Sequence, residues 1–120
     1  MQFRRSKPSV GRFVCSFIFV KTEYQLEKLF LKEIIFIEGM RDYRRIHTTS
    51  GKRIMTLQTF AEFERQIPSK IICRVHKSYM VALDKIESIE KDGIQIKDRI
   101  IPISKTYKER FFDLINKLSL

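Results

Sequence analysis

The run Arg74-Val75-His76-Lys77-Ser78-Tyr79-Met80-Val81 places two cations around a histidine and then continues into an apolar stretch. Two other segments share this mixture of basic and apolar residues: Phe36-Ile37-Glu38-Gly39-Met40-Arg41-Asp42-Tyr43 upstream, and Ile101-Pro102-Ile103-Ser104-Lys105-Thr106-Tyr107-Lys108 downstream. In and beside these segments, the cations lie where a loop is expected to join a regular element. Charged strand ends also protect a sheet from aggregation. The pattern alone therefore fits either a solvated edge or a binding surface.

In order and spacing, the three segments resemble the signature of the LytTR family, the mainly β DNA-binding domain of many bacterial response regulators. The resemblance covers residues 17–118. It implies a mainly β fold, an elongated sandwich of small antiparallel sheets with a short middle helix and a C-terminal helix. It also implies sequence-specific binding of double-stranded DNA for transcription regulation, with loops reading the major groove at paired sites. Dimerisation on DNA stays open.

Length and charge agree with such a domain. The 120 residues suffice for one domain with a substantial core. Lys and Arg number 24 against 14 Asp and Glu, and the resulting formal charge of +10 favours polyanionic partners. Residues 1–12 are interpreted as a basic linker or tail, and residues 13–120 as the DNA-binding domain. In the family this domain commonly follows a receiver domain. No receiver is evident here, so an excised domain and a stand-alone protein both stay open.

Short apolar runs separated by polar or charged residues predict mostly β structure from residue 13 onward. Thr49-Ser50-Gly51 and Asp92-Gly93 lie between such runs and predict hairpins, the second because both of its residues tolerate positive φ. The spacing of the runs favours a sandwich over βαβ units. The predicted strands are residues 13–21, 24–31, 34–38, 45–48, 52–57, 85–91, 94–96 and 99–103.

Two helices are predicted as well. The first has a capping-box pattern, Thr59 with Glu62. Its apolar stripe consists of Phe60, Phe63 and Ile67. The second begins near residues 104–106, where Thr106 and Glu109 fit another capping box. Its apolar stripe is better explained as core packing than as a partner groove; the stripe consists of Tyr107, Phe111, Leu114, Ile115 and Leu118.

The sequence predicts no enzyme, metal or cofactor. His47 and His76 lie apart from Cys or carboxylate at metal-ligand spacing, and the C-x-x-H of Cys73 has no second pair to complete a zinc site. A small enzyme would need a pocket that holds either histidine beside a carboxylate. Cys15 and Cys73 lie in apolar runs and are expected to be buried and inert. No apolar run reaches the ~20 residues that span a bilayer, so a cytoplasmic protein is expected.

The family's base-contacting positions, carried over through the resemblance, fall on Arg44, Lys77 and Lys105. Arginine can bond guanine O6 and N7 together, and lysine can reach the same acceptors. Alternation from Ile46 would point Arg45 outward instead of Arg44. We expect Arg44 to read the base, because it should end a loop where alternation does not yet apply. Backbone contacts, which set register without reading sequence, are expected from Arg41, Arg45, Arg74, Ser78, Tyr79, Ser104 and Lys108.

A second class of function fits the same charge, namely an electrostatic adaptor without enzymatic activity that binds RNA or a membrane surface. A binder of single-stranded RNA would expose aromatic side chains on a sheet face. The aromatic residues of the apolar runs are expected to lie in the core instead: Phe17, Phe19, Phe36 and Tyr79.

Overall fold

A computed structural model describes residues 16–118, so the predicted tail at residues 1–12 lies outside the described part of the chain. The described part contains ten strands and two α-helices. The strands are β1 (Phe17–Lys21), β2 (Leu26–Phe30), β3 (Ile34–Gly39), β4 (Arg44–Thr48), β5 (Arg53–Thr56), β6 (Ile72–His76), β7 (Tyr79–Ala82), β8 (Ile86–Glu90), β9 (Gly93–Ile96) and β10 (Arg99–Pro102). The helices are α1 (Phe60–Gln66) and α2 (Lys105–Leu118).

The strands form three small antiparallel sheets. β1 and β2 make a two-stranded sheet, and β10, β9 and β8 make a three-stranded one in that order. The middle sheet has five strands in the order β5-β4-β3-β7-β6. The mainly β class, the small antiparallel sheets and the two helices are therefore confirmed.

The middle sheet separates two hydrophobic cores, because successive side chains of a strand point to opposite faces. On β3, Ile37 belongs to the first core and Phe36 to the second. Met80 and Val81 divide in the same way on β7. The first core is closed by β1, β2 and α1, and the second by β8–β10 and α2. The result is three layers with the five-stranded sheet in the middle.

Helix α1 begins at the predicted capping box. The Thr59 hydroxyl accepts a hydrogen bond from the backbone N–H of Glu62 at 3.1 Å, and the Glu62 carboxylate accepts one from the backbone N–H of Thr59 at 2.8 Å. This backbone bond is the main reason that the pKa of Glu62 lies below its ordinary value. The two bonds satisfy two N–H groups that the helix itself leaves unpaired.

Helix α2 begins differently from the prediction. Its first residue is Lys105, so Thr106 lies inside the first turn, and the proposed capping box of Thr106 with Glu109 is wrong. The N–H of Tyr107 donates to the carbonyl of Ser104 at 3.1 Å, which makes Ser104 the residue that precedes the helix.

Two further predictions concern burial. Phe111 in the apolar stripe of α2 is fully buried, whereas Leu118 at its end is 64% exposed. Cys73 is buried, and burial raises the pKa of its thiol to about 11. A thiol with such a pKa forms little nucleophilic thiolate, as expected of an inert core cysteine. Cys15 lies outside the described residues.

Strands β6 and β7 were missed by the sequence reasoning. The sequence pattern does not predict these strands, because cations and a histidine interrupt the apolar alternation of their residues. The pairing of β6 with β7 also shifts between Arg74 and His76. A bulge of this kind adds a residue to one strand and breaks the period of two.

The β8–β9 hairpin is confirmed, but its turn lies one residue earlier than predicted. Glu90 pairs with Gly93, so the turn is formed by Lys91 and Asp92, and Lys91 takes the left-handed conformation with a φ of 55°. Gly93 is part of β9. A Cβ on Gly93 would lie 3.0 Å from Cγ2 of Ile100, so the glycine permits close approach to β10.

The β4–β5 hairpin bends at the predicted glycine, since Gly51 has a φ of 91°. Across residues 16–118, neither helix has the length and apolar character required to cross a membrane.

Candidate nucleic-acid interface

Three connections meet at one end of the middle sheet: the β3–β4 loop, the β6–β7 turn and the segment before α2. The N–H of Gly39, at the end of β3, donates to the carbonyl of Ser78 in the β6–β7 turn at 2.7 Å. The N–H of Ser104, before α2, donates to the carbonyl of Val75 on β6 at 2.9 Å. The fold therefore brings together the three segments that the sequence singled out.

Gly39 allows two of these connections to approach each other. A Cβ at this position would lie 2.9 Å from Cε2 of Phe60 on α1 and 3.4 Å from Cα of Ser78. Any larger residue would have to displace the aromatic ring. The glycine of the first sequence segment thus has a steric role at the junction of β3, α1 and the β6–β7 turn.

Lys77 and Lys105 present their side chains to solvent at this end of the molecule. Lys77 lies in the β6–β7 turn, and Lys105 is the first residue of α2. Within residues 16–118, neither ammonium group forms an ion pair. Both cations are therefore available to a partner that approaches this end.

Arg44 does not end a loop, as the sequence reasoning expected, but is the first residue of β4 and pairs with Gly39. Its Nε donates to the carbonyl of Gln58 at 2.8 Å, and its Nη2 donates to the carbonyl of Leu57 at 3.0 Å. A guanidinium carries five N–H donors. Two of these donors bind the loop before α1. Among residues 16–118, the other three have no acceptor and can serve a further partner.

Arg45 lies on the opposite face of β4, as alternation requires. Its side chain is 22% exposed, and its Nη1 lies 3.9 Å from Oε1 of Glu38. The Nε of Arg45 is buried and has no hydrogen-bond partner within the described part of the chain. The expectation that alternation would point Arg45 outward is wrong, because this face of the sheet is partly covered.

Glu38 gathers donors from several strands. His47 Nε2 donates to it at 2.9 Å, Arg99 Nη1 at 3.2 Å and the Tyr79 hydroxyl at 3.5 Å. Burial alone would raise the pKa of Glu38, but the hydrogen bonds of His47 and Arg99 outweigh it and hold the pKa below its ordinary value. The carboxylate therefore stays charged and joins β10 to the middle sheet, a role that sequence reasoning missed.

His47 meets the condition that sequence reasoning set for a small enzyme, since it lies beside a carboxylate and lines a cavity of about 160 Å³. Burial lowers the pKa of His47 below its ordinary value, so the imidazole is neutral near pH 7. Its ring stacks on Phe36 at 4.1 Å. The Thr48 hydroxyl in the cavity wall donates to the carbonyl of Lys52 at 2.6 Å. The geometry thus supplies a histidine–carboxylate pair, and the neighbouring Thr48 hydroxyl is engaged with the backbone.

The predicted backbone-contacting residues fall into two groups. Four lie at or near the exposed surface of this end, with Lys108 paired to Asp92 of the β8–β9 turn at 2.8 Å; these four are Arg41, Ser78, Ser104 and Lys108. The other three have polar groups that contact other parts of the fold; these are Arg45, Arg74 and Tyr79. For all seven residues, contact with the DNA backbone stays a prediction.

Arg74 is largely enclosed by its surroundings, with a side chain that is 15% exposed. Its Nε donates to the carbonyl of His76 at 2.9 Å, and its Nη2 donates to the carbonyl of Lys77 at 2.7 Å. Its guanidinium carbon lies 4.4 Å from the centre of the Phe60 ring and 5.2 Å from that of Tyr107. The sequence predicts both rings as core residues, and no signal in it relates them to Arg74.

The outer face of β1 and β2 carries an aromatic cluster that the sequence reasoning assigned wrongly. Phe19 is 50% exposed and Phe30 is 39% exposed, so Phe19 is not a core residue. Phe17 contacts both rings edge to face, and Lys28 Nζ lies 4.4 Å from the centre of the Phe17 ring. Exposed aromatic rings on a sheet are the feature expected of a single-strand binder. Phe36, by contrast, is buried as expected.

Among residues 16–118, no group of three or more His, Cys, Asp or Glu side chains could hold a metal ion. The convergent connections with their exposed cations are therefore the best candidate site in the described structure.

Comparison with known families agrees with this geometry. The family model described as the LytTr DNA-binding domain matches residues 24–116, most of the chain. The chain belongs to the LytTR family. DNA is accordingly the partner of this LytTR domain.

Two known proteins resemble the LytTR domain described above. The CO-responsive transcriptional regulator RcoM of Rhodospirillum rubrum is 30% identical over 89 residues, which cover 68% of this chain and 37% of that protein. The chain thus spans little more than a third of RcoM. A solved structure from Bacillus cereus, the "LytTr DNA-binding domain of putative methyl-accepting/DNA response regulator", matches with a TM-score of 0.72 and 19% identity. That match covers 84% of this chain and 97% of the other, and it shows a shared fold.

Proposed function

We propose that this LytTR domain regulates transcription by binding duplex DNA in a sequence-specific manner, with its connecting loops in the major groove. The observation that carries the proposal is the convergence of three connections at one end of the middle sheet, where Lys77 and Lys105 are exposed and form no ion pair within the described residues. A positive formal charge of +10 adds general attraction to the phosphates. The name of RcoM as a transcriptional regulator supports the regulatory role.

Base reading is assigned to Arg44, Lys77 and Lys105. The two lysines can reach guanine O6 and N7 as single donors, and the free donors of Arg44 can do the same from the edge of β4. Arg44 is less mobile than the lysines because the carbonyls of Leu57 and Gln58 hold it. A held guanidinium reads a base with less loss of side-chain entropy.

Phosphate contacts are assigned to Arg41, Ser78, Ser104 and Lys108, which lie at or near the surface of the same end. Such contacts set the register of the protein on the duplex without reading sequence. We further propose that the domain binds paired sites. We also propose that it works in a two-component system behind a receiver domain; the similar domain from Bacillus cereus, described as that of a "putative methyl-accepting/DNA response regulator", supports this part of the proposal.

The exposed rings of Phe19 and Phe30, with Lys28 beside them, favour a second candidate, the binding of single-stranded nucleic acid on the β1–β2 sheet. The rings contact Phe17 edge to face, which occupies part of their stacking surface. We rank this candidate second for that reason.

Selection of bound molecules from random pools tests both candidates. Duplex and single-stranded pools are offered separately at ~150 mM salt, where non-specific attraction is weakened. Enrichment of a paired duplex motif supports the proposed function. Enrichment from the single-stranded pool alone would favour the second candidate if the Phe19→Ala variant no longer shows it. The binding site would then lie on the β1–β2 sheet. Binding without any enriched sequence would leave only electrostatic attraction and refute sequence reading.

A further inference from the structure

Arg74 connects the elements that carry the proposed base-reading residues. It belongs to β6, its guanidinium bonds the carbonyls of His76 and Lys77, and its Nη1 lies 3.5 Å from Oε1 of Glu64 on α1. The same guanidinium lies close to the rings of Phe60 and Tyr107, on α1 and α2. One side chain thus contacts a turn and two helices.

The guanidinium of Arg74 has three kinds of neighbour at once. Nε and Nη2 point at the two turn carbonyls, Nη1 faces the Glu64 carboxylate, and the plane lies near two aromatic rings. With a side chain only 15% exposed, Arg74 has little surface left to present to a phosphate. A phosphate contact would require at least one of these bonds to break.

The proposed base readers border this arrangement. Lys77 accepts a hydrogen bond from Arg74 at its carbonyl, and its side chain is exposed to solvent. Lys105 lies two residues before Tyr107, in the first turn of α2. Arg44 has its guanidinium carbon 6.0 Å from the centre of the Phe60 ring. Movement of Arg74 would change the spacing among all three.

We propose that Arg74 is a positioning residue for sequence reading, which fixes the β6–β7 turn against α1 and α2 and so sets the distance between Lys77 and Lys105. The inference rests on the proposed function and replaces the expectation that Arg74 contacts the DNA backbone. A base-reading pair discriminates only when its geometry is held closely. Loss of Arg74 should therefore reduce selectivity more than it reduces general affinity for DNA.

The difference between a guanidinium and an ammonium group distinguishes positioning of the turn from a simple contact between charges. A guanidinium is planar and donates in several fixed directions, whereas an ammonium group is a point charge on a flexible stem. Lysine at this position keeps the charge but cannot reach both turn carbonyls in the same geometry. Arg74→Lys should consequently behave like Arg74→Met if the residue positions the turn, and like the wild type if it contacts phosphate.

Arg110 offers a matched control. Its Nη2 lies 3.5 Å from the other carboxylate oxygen of Glu64, and its guanidinium carbon lies 5.9 Å from the centre of the Tyr107 ring. It therefore shares two contacts of Arg74 but has no hydrogen bond to the β6–β7 turn among the described residues. Arg110→Met removes a charge near the same place without freeing the turn.

The first measurement is made without DNA, so that it judges the positioning role alone. Amide hydrogen exchange is followed at Gly39 and Ser78, whose N–H groups donate to the turn carbonyl and to Nδ1 of His76. Arg74→Lys and Arg74→Met should raise both exchange rates by about tenfold or more, since charge-assisted bonds to the turn are lost. Arg110→Met should leave them unchanged. Unchanged rates in Arg74→Lys would overturn the proposal.

The second measurement compares affinity for the selected duplex with affinity for random duplex across a salt series. Both Arg74 variants should lose about tenfold of the specific-to-random ratio while the salt slope on random duplex stays the same. Retained selectivity in Arg74→Lys, or a shallower salt slope in Arg74→Met, would identify a phosphate contact and refute positioning. If circular dichroism shows that Arg74→Met does not fold, the positioning role is judged from Arg74→Lys and from Glu64→Gln, which removes the carboxylate that faces Nη1 of Arg74. If the wild type shows no preference for any motif, the proposed function is refuted. The exchange rates would still show whether Arg74 positions the β6–β7 turn.

Discussion

Replacing Glu38 with glutamine is expected to lower the free energy of unfolding by about 2–3 kcal/mol at pH 7. The side chain is 13% exposed and is surrounded by donors from His47, Arg99 and Tyr79. Removing one member of a buried ion pair costs about 3–5 kcal/mol. The cost is smaller here because Arg99 is 37% exposed and glutamine keeps one acceptor oxygen. The new amide N–H₂ would face another donor, so one buried polar group would stay unsatisfied.

The loss should depend on pH with a definite sign. The pKa of Glu38 in the folded protein lies below its ordinary value of 4.5. A carboxylate with a lowered pKa contributes stability that is complete above the unfolded pKa and disappears as the pH falls through the folded one. At pH 7, the free energy of unfolding of the wild type should therefore exceed that of Glu38→Gln by the full amount. This difference in stability should shrink as the pH falls below 4.5.

Urea unfolding at a series of pH values measures this difference. Glu27→Gln provides the control, because Glu27 pairs with the exposed Lys52 at 2.6 Å on the surface. An exposed pair contributes about 0–1 kcal/mol, so this variant should stay close to the wild type at every pH. A Glu38→Gln protein as stable as the wild type at pH 7, or a difference that grows below pH 4.5, would refute the reasoning.

Four further outcomes are expected. Lys77→Ala should weaken binding to the selected duplex by about 1–3 kcal/mol and barely change binding to random duplex, and equal losses would reduce it to a phosphate contact. Arg44→Ala should relax base preference at one position of the motif, whereas Arg45→Ala should leave the motif unchanged; the reverse pattern in repeated selection would show that the assignment is wrong. Thr59→Ala should cost ~1 kcal/mol of stability in thermal or urea unfolding, and no loss would mean that the cap is dispensable. Deleting residues 1–12 should make the salt dependence of binding shallower without altering the motif, which a repeated selection checks.

Much of the fold could be predicted because local patterns and burial agree. Alternating apolar runs marked most strands, and the Thr59–Glu62 pair marked the start of α1 within one residue. The patterns failed where long-range contacts decided the outcome. Gly93 was assigned to a turn because glycine tolerates positive φ, yet the approach of Ile100 from β10 places it within β9.

The candidate site was predictable in its parts but not in its connections. The exposed cations Lys77 and Lys105 follow from segments that have loop-like composition. The inward roles of Glu38 and Arg74 depend on donors and rings contributed by distant strands and helices, which no local period reveals. Alternation correctly separated Arg44 and Arg45 onto opposite faces, but only the packed structure shows which of those faces is covered.

The middle sheet has an apolar core on each face, and the elements that cover these two faces leave the ribosome at different times. The face that carries Ile37 packs against β1, β2 and α1, all of which are synthesised before β6. The face that carries Phe36 must wait for β8–β10 and for Phe111 of α2. In that interval a nascent chain exposes an apolar strand surface, the kind of surface through which incomplete chains associate. Association of incomplete chains is therefore expected to be strongest between the completion of β7 and the emergence of α2.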